Sequence, residues 1–265
     1  MSYNPKDLIE PVRDIARQAG QRILDIYESD YAVEQKDDAS PLTEADLAAH
    51  KTIVEGLSQL TPEWPILSEE SADIPFSERS AWSQYWLVDP LDGTREFISR
   101  NGEFTVNIAL IRGHEAVLGV VHVPVQDTDY YGEESLGAFV QRPGQAPQPI
   151  RVSPFTSGPA RVVGSRSHRG NSLDNYLAKL GEHELVSMGS SLKICLVAEG
   201  RADVYPRLGP TSEWDTAAAH AVVTSAGGHV VDVYGNPLRY NTKDEYLNPF
   251  FIVYGDRDHD WLSYL

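Results

Sequence analysis

Hydrophobic and polar positions follow two different rhythms along this chain. Leu8, Val12, Ile15, Ala19, Ile23 and Ile26 recur at helical spacing, which predicts one amphipathic helix. Asn4 is placed to cap it, and Pro5 suits its first turn. Residues 29–40 are acidic and polar and read as a loop or loose hairpin. Leu47, Ile53, Val54, Leu57 and Leu60 form the apolar stripe of a second helix, from about Thr43 to Leu60. Residues 66–68 and 85–88 read as strands, with a polar surface excursion at 71–84. From Glu103 to Val140 the period becomes two, over runs at 103–111, 116–123, 129–132 and 136–140, which predicts an antiparallel meander. A Pro-, Gly- and Gln-rich stretch ends it at Pro149. Beyond that, strands (161–165, 185–187, 202–205, 229–233, 250–254) alternate with helices (173–180, 191–199, 215–226), an α/β pattern. The chain divides into an N-terminal half, 1–148, and a C-terminal half, 149–265. It contains no internal repeat and no low-complexity tract.

Chemistry concentrates where the apolar run Trp86-Leu87-Val88 meets Asp89-Pro90-Leu91-Asp92-Gly93-Thr94. Pro90 fixes its own φ and Gly93 permits positive φ, so the chain is expected to turn tightly just past the strand. Such a turn aims Asp89, Asp92 and the Leu91 carbonyl at one point, and clustered oxygens are what Mg2+ requires. Gly93 lets backbone N–H groups approach an anion, and Thr94 adds a hydroxyl. Asp-Gly after an apolar run is equally a common surface turn. Other acids carry the same double reading. Glu69-Glu70 at a strand end is a solvated turn or a metal ligand with its partner. Asp46 fits a capping box with Thr43, and from the residues alone capping outweighs a role at a metal or an attacking water. Asp215, after Trp214, is first of all a cap for an Ala-rich helix.

Composition narrows the partners. With 22 Lys+Arg against 39 Asp+Glu, the net charge is −17, which argues against a protein that coats nucleic acid or anionic lipid. A small anionic substrate stays possible, because a bound cation reverses the local field. Cys195 is the only cysteine, so no intrachain disulfide can form and a reducing, cytoplasmic location is expected. It shares an apolar helical stripe with Leu192 and Leu196 and reads as core rather than nucleophile. The N-terminus lacks the pattern of a signal peptide, and no apolar run approaches the roughly 18 residues of a spanning helix. P-loop, Gly-x-Ser-x-Gly, dinucleotide and His-Glu-x-x-His motifs are absent.

Taken together, the strand-end Glu69, the Asp89-x-x-Asp92-Gly93-Thr94 run and Trp214-Asp215-Thr216-Ala217-Ala218 resemble the signatures of the inositol monophosphatase superfamily, lithium-sensitive Mg2+-dependent phosphatases. The resemblance covers nearly the whole chain. The runs 85–98, 101–107 and 189–193, with Tyr205-Pro206-Arg207 and 213–218, are most similar to bacterial 3'(2'),5'-bisphosphate nucleotidases of the CysQ type. It implies an α+β fold, a layered α/β/α/β/α sandwich with an N-terminal antiparallel sheet and a C-terminal α/β half, its site between the two. It implies hydrolysis of adenosine 3',5'-bisphosphate to AMP and phosphate. Two or three Mg2+ ions would be held by Glu69, Asp89, the Leu91 carbonyl, Asp92 and Asp215, all but Asp89 also bordering substrate. Thr94 and Asp46 would act on the attacking water, with Glu70 nearby, and the Gly93 and Thr94 N–H groups would bind the reacting phosphate. Lys193 and Arg207 are candidates for the second phosphate, and Ser167, His168, Gly189 and Ser190 for the nucleotide. An inositol or sugar-phosphate phosphatase is the alternative enzyme, and a noncatalytic metal- or nucleotide-binding regulator the alternative of another class. Monomer or homodimer, and peripheral contact with the inner membrane face, stay open.

Overall fold

The computed structural model describes residues 3–28, 34–35, 41–42, 44–165 and 171–265. Helix α1 (Pro5–Tyr27) starts where predicted, with the Asn4 side chain accepting the Lys6 N–H at 3.3 Å. Strands β1 (Glu34–Gln35) and β2 (Pro41–Leu42) pair antiparallel. Helix α2 (Glu44–Leu60) turns Ala45, Ala49, Ile53 and Leu57 inward. This corrects the predicted stripe, since Leu47 is 50% exposed. It lies two residues from Ala45, roughly 200° around the helix, and the inner seam takes the row of small residues instead.

A seven-stranded sheet follows: β3 (Ile66–Ser68), β4 (Gln84–Asp92), β5 (Thr105–Arg112), β6 (Glu115–Val123), β7 (Thr128–Glu133), β8 (Gly137–Gln141) and β9 (Gln148–Ile150), in that spatial order. Only β3–β4 is parallel; β5 to β8 form the expected meander, and β9, in the stretch expected to end it, adds a further antiparallel strand across the predicted 148/149 boundary. The short helices α3 (Phe76–Arg79) and α4 (Thr94–Ile98) flank β4. Alternation then assigns the faces. Trp86, Val88, Val106, Ile108, Leu118 and Val120 pack under α1 and α2. Tyr85, Leu87, Ala109, Ile111, Val121 and Val123 pack on the other side.

The C-terminal half adds β10 (Ala160–Ser165), α5 (Asn171–Leu180), β11 (His183–Met188), α6 (Leu192–Ala198), β12 (Val204–Arg207), α7 (Glu213–Ser225), β13 (His229–Asp232) and β14 (Phe251–Tyr254). Its sheet runs β11-β10-β12-β14-β13. The pairs of β10 are parallel, but β12–β14 and β14–β13 are antiparallel, so the second sheet is mixed. Helices α6 and α7 lie between the sheets, while α5 and the turn Trp261–Tyr264 cover the far side. The layers are α/β/α/β/α, as the resemblance implies.

Two features fix these layers. Gly119 and Gly132 are direct cross-strand partners on β6 and β7. A Cβ on Gly119 would stand 2.0 Å from the Ala218 carbonyl oxygen, and one on Gly132 3.0 Å from Val222 Cα. Helix α7 therefore rests on the sheet backbone to backbone. On the opposite face, the buried Asp129 carboxylate receives Arg13 at 3.1 Å, Arg17 at 2.6 Å and His122 Nδ1 at 2.7 Å. Burial alone would raise its pKa; the hydrogen bond from His122 and the neighbouring Arg17 and Arg13 charges outweigh this and hold it below the ordinary carboxylate range. Among the described residues, no helix is long and apolar enough to cross a membrane.

Candidate active site

The parity that turns Tyr85 and Leu87 toward α7 also turns Asp89 that way. Asp89 pairs with Asn107 and Asp92 with Thr105, so β4 carries one extra residue between them. The predicted turn past the strand is thus a β-bulge within it, at a place where Pro90 has no N–H to give the ladder. The Leu91 N–H folds back onto Asp89 Oδ1 at 3.1 Å, while its side chain enters the core under α1 and α2. Gly93 has φ +99°, and a Cβ there would meet Phe104 Cα at 3.3 Å. Thr94, half-buried, then opens α4.

Asp215 reaches the same place from the first turn of α7. Its Oδ2 accepts the Ser212 N–H at 2.9 Å in a complete capping box. This corrects the expected cap: Ser212 is the N-cap and Asp215 the third residue of the helix, so closing the capping box and a site role coexist in one carboxylate. Glu69 arrives from the turn after β3, the parallel neighbour of β4. Oxygens of Glu69, Asp89 and Asp215 all lie within 4.8 Å of one another. Asp46, 4% exposed on α2, and the half-buried Glu70 add negative charge at Glu69. Thr43, the other half of the predicted capping box, lies outside the described residues.

This concentration disfavours the charged forms. Glu69 is open to solvent at the rim, yet protein surrounds its carboxylate, and burial followed by Asp215, Asp46, Glu70 and Asp92 pushes its pKa up to about 8. Burial raises Asp215 to about 7, with the Asp92 charge next. Asp92 rises to about 6 through burial, opposed by Lys193 and the Ser191 N–H. Asp89 is raised well above the carboxylate range by burial and then by Glu69. Its Oδ2 is buried without a hydrogen-bond partner. Converging hard oxygens, one of them orphaned, fit a divalent cation bound through oxygen.

Opposite the acids stand cations. Lys193 Nζ donates to the Ser190 carbonyl at 2.5 Å; burial lowers its pKa, while the Asp92 charge raises it. Arg207 donates to Thr211 Oγ1 at 2.5 Å and to the Pro210 carbonyl at 2.7 Å. Neither has a carboxylate at ion-pair distance among the described residues. The Gly189 N–H is held by Glu103 at 2.8 Å. Ser190 sits at φ +44° with its buried hydroxyl unpartnered. Ser167 and His168 lie outside the described residues.

Sequence reasoning passed over a supporting row. Thr105 Oγ1, Ser191 Oγ and Asn107 Oδ1 are linked at 2.9 and 2.8 Å, all buried, tying β5 to the start of α6 beside Asp89 and Asp92. The signal was there: Thr105 and Asn107 are polar residues on the core-facing positions of a strand. Arg79 and Glu213, each 1% exposed, left no such mark, because their partners are remote in sequence.

The family model for the inositol monophosphatase family matches residues 4–254. The chain is 52% identical over 249 residues to the 3'(2'),5'-bisphosphate nucleotidase CysQ of Salmonella typhimurium, covering 93% of this chain and 99% of that one. It superposes on the crystal structure of CysQ from Bacteroides thetaiotaomicron with a TM-score of 0.85 at 42% identity, over 96% of this chain and 99% of the other. An inositol monophosphatase from Anabaena follows at TM-score 0.79 and 26% identity, over 98% and 95%. Five layers, a carboxylate cluster at the end of β4 and full-length likeness agree: the chain belongs to the inositol monophosphatase family.

Proposed function

We propose that this protein is a Mg2+-dependent 3'(2'),5'-bisphosphate nucleotidase that converts adenosine 3',5'-bisphosphate to AMP and phosphate. The observation that carries the reading is the convergence of Glu69, Asp89 and Asp215, with Asp89 Oδ2 unpartnered, in a chain half identical to enzymes of that name. Glu69, Asp89, Asp92, Asp215 and the Leu91 carbonyl would hold two or three ions. When bound, such ions neutralise the phosphoryl oxygens and make water a stronger nucleophile.

The chain's own groups do the rest. The Thr94 hydroxyl would orient the attacking water and the Asp46 carboxylate would accept its proton, with Glu70 nearby. Gly93 and Thr94 present N–H groups to the reacting phosphate, an approach the bare Gly93 leaves open. Lys193 and Arg207, which have no carboxylate partner among the described residues, take the phosphate that is not cleaved; Arg suits a bidentate contact and Lys a point charge. Gly189, Ser190, Ser167 and His168 border the nucleoside. The protein acts on a small molecule in the cytoplasm, without a nucleic-acid partner. The deciding experiment is phosphate release with Mg2+ from adenosine 3',5'-bisphosphate, its 2' isomer, 3'-phosphoadenylyl sulfate, inositol 1-phosphate and fructose 1,6-bisphosphate. Preference for a nucleotide bisphosphate is expected; preference for inositol 1-phosphate would overturn the assignment.

A further inference from the structure

Glu69 and Asp215 repel each other, yet their oxygens meet within 4.8 Å. One follows β3 and the other opens α7, so their backbones need a tie that does not depend on a cation. The loop 241–248 provides it. On the α7 side, the Tyr246 carbonyl accepts the Glu213 N–H at 2.8 Å, and Asn248 Nδ2 donates to the Ser212 carbonyl at 2.9 Å. The Tyr246 ring packs on Trp214 with centroids 5.0 Å apart. On the Glu69 side, the Tyr246 hydroxyl donates to the Ala72 and Ile74 carbonyls at 2.5 and 3.2 Å. These residues directly follow the Glu69–Ser71 turn. Arg79 closes the arrangement. Its guanidinium lies 4.4 Å over the Tyr246 ring and donates to Asn241 Oδ1 at 2.5 Å and to the Asp244 carbonyl.

We propose that Tyr246 is a positioning residue for the metal site. Its carbonyl and ring hold the turn that carries Asp215, and its hydroxyl holds the segment leaving Glu69. It thereby clasps two repelling carboxylates together before any cation binds. The inference rests on the reading of Glu69 and Asp215 as metal ligands. It also gives the polar excursion 71–84 a purpose, since this segment carries both the acceptors of the hydroxyl and the arginine that stacks on the ring.

The test is Tyr246→Phe, which keeps the ring and removes only the hydroxyl. Mn2+ binding to the chelator-treated protein is titrated by the loss of the free-ion paramagnetic resonance signal, and the melting temperature is read alongside. The binding midpoint is expected to rise about tenfold, the lower range for residues that orient metal ligands. Saturating Mg2+ is expected to restore turnover, because the ligands themselves are intact. Arg79→Lys, which keeps the charge and loses the fork, shifts the midpoint in the same direction and decides the matter if Tyr246→Phe does not fold. A lowered melting temperature with an unchanged midpoint means a purely structural role and overturns the proposal. A parent that takes up no Mn2+ removes the ligand set and the clasp with it; equal midpoints in a parent that binds remove the clasp alone.

Discussion

Replacing Asp215 with Asn separates its two roles. The oxygen that closes the capping box survives, since Asn still offers an amide oxygen to the Ser212 N–H. Only the charge is lost. In the cation-free protein, burial and the Asp92 charge raise this carboxyl from 3.8 to about 7. At 1.36 kcal/mol per pH unit, that places about 4 kcal/mol against the folded, ionised form, an upper figure because neighbouring acids share the repulsion. The penalty is absent below the unfolded value near 3.8, grows as pH rises, and is complete above about 7. For a chain of this length it corresponds to a melting shift on the order of 10 °C. Chelator-treated Asp215→Asn should therefore melt above the parent at mildly alkaline pH and together with it near the unfolded value. Added Mg2+ should stabilise the parent strongly and the variant little. The assay is thermal unfolding at both pH values, with and without saturating Mg2+. A variant that melts at or below the parent throughout, and keeps the full gain from Mg2+, would reduce Asp215 to a helix cap.

Turnover should vanish on chelation, with metal content checked, and high Ca2+ should inhibit because it takes more ligands in looser geometry than Mg2+. Inhibition by Li+ is expected from family membership, and a flat lithium titration would count against it. Arg207→Ala should lower efficiency on adenosine 3',5'-bisphosphate relative to a monophosphate by about ten- to a hundredfold, the worth of a charge-assisted contact of roughly 1.5–3 kcal/mol; an unchanged ratio would remove Arg207 from the substrate site. Asp129→Asn strands the buried Arg13 and should cost about 3–5 kcal/mol in urea unfolding, with turnover per folded molecule intact. Because Asp129 lies below its ordinary value, the stability it confers is full above the unfolded 3.8 and lost as pH falls through the lower folded value, a dependence the variant should lack.

Local rules carried much of the fold. The Asn4-Pro5 start, the period-two meander and the alternation after it all emerge as elements near their predicted bounds, because each is set by neighbouring residues. Leu47 misled because spacing alone does not say which of two possible stripes meets α1. The mixed second sheet could not be read, since parallel and antiparallel strands of this length look alike. At the site, the six acids stood out in sequence, but the bulge did not: Asp-Pro-Leu-Asp-Gly suits a turn as well as a strand that skips one residue. Arg79, Glu213 and Tyr246 were invisible for a different reason. Each is defined by partners from another part of the chain, and nothing within a few residues marks them.

The paired glycines of β6 and β7 bear on how such a protein can diversify. Since what a Cβ at position 119 would strike is the Ala218 carbonyl, a peptide group of α7, no residue change within the helix can compensate for a methyl group there. The unit that must be inherited together is therefore split along the gene: two strand positions in the first half, and in the second the helix that lies on them. A chimaera joined anywhere between 133 and 212 takes its helix from one parent and the seat for that helix from the other. Such recombinants should survive only when both parents have glycine at each place, however well their remaining surfaces match.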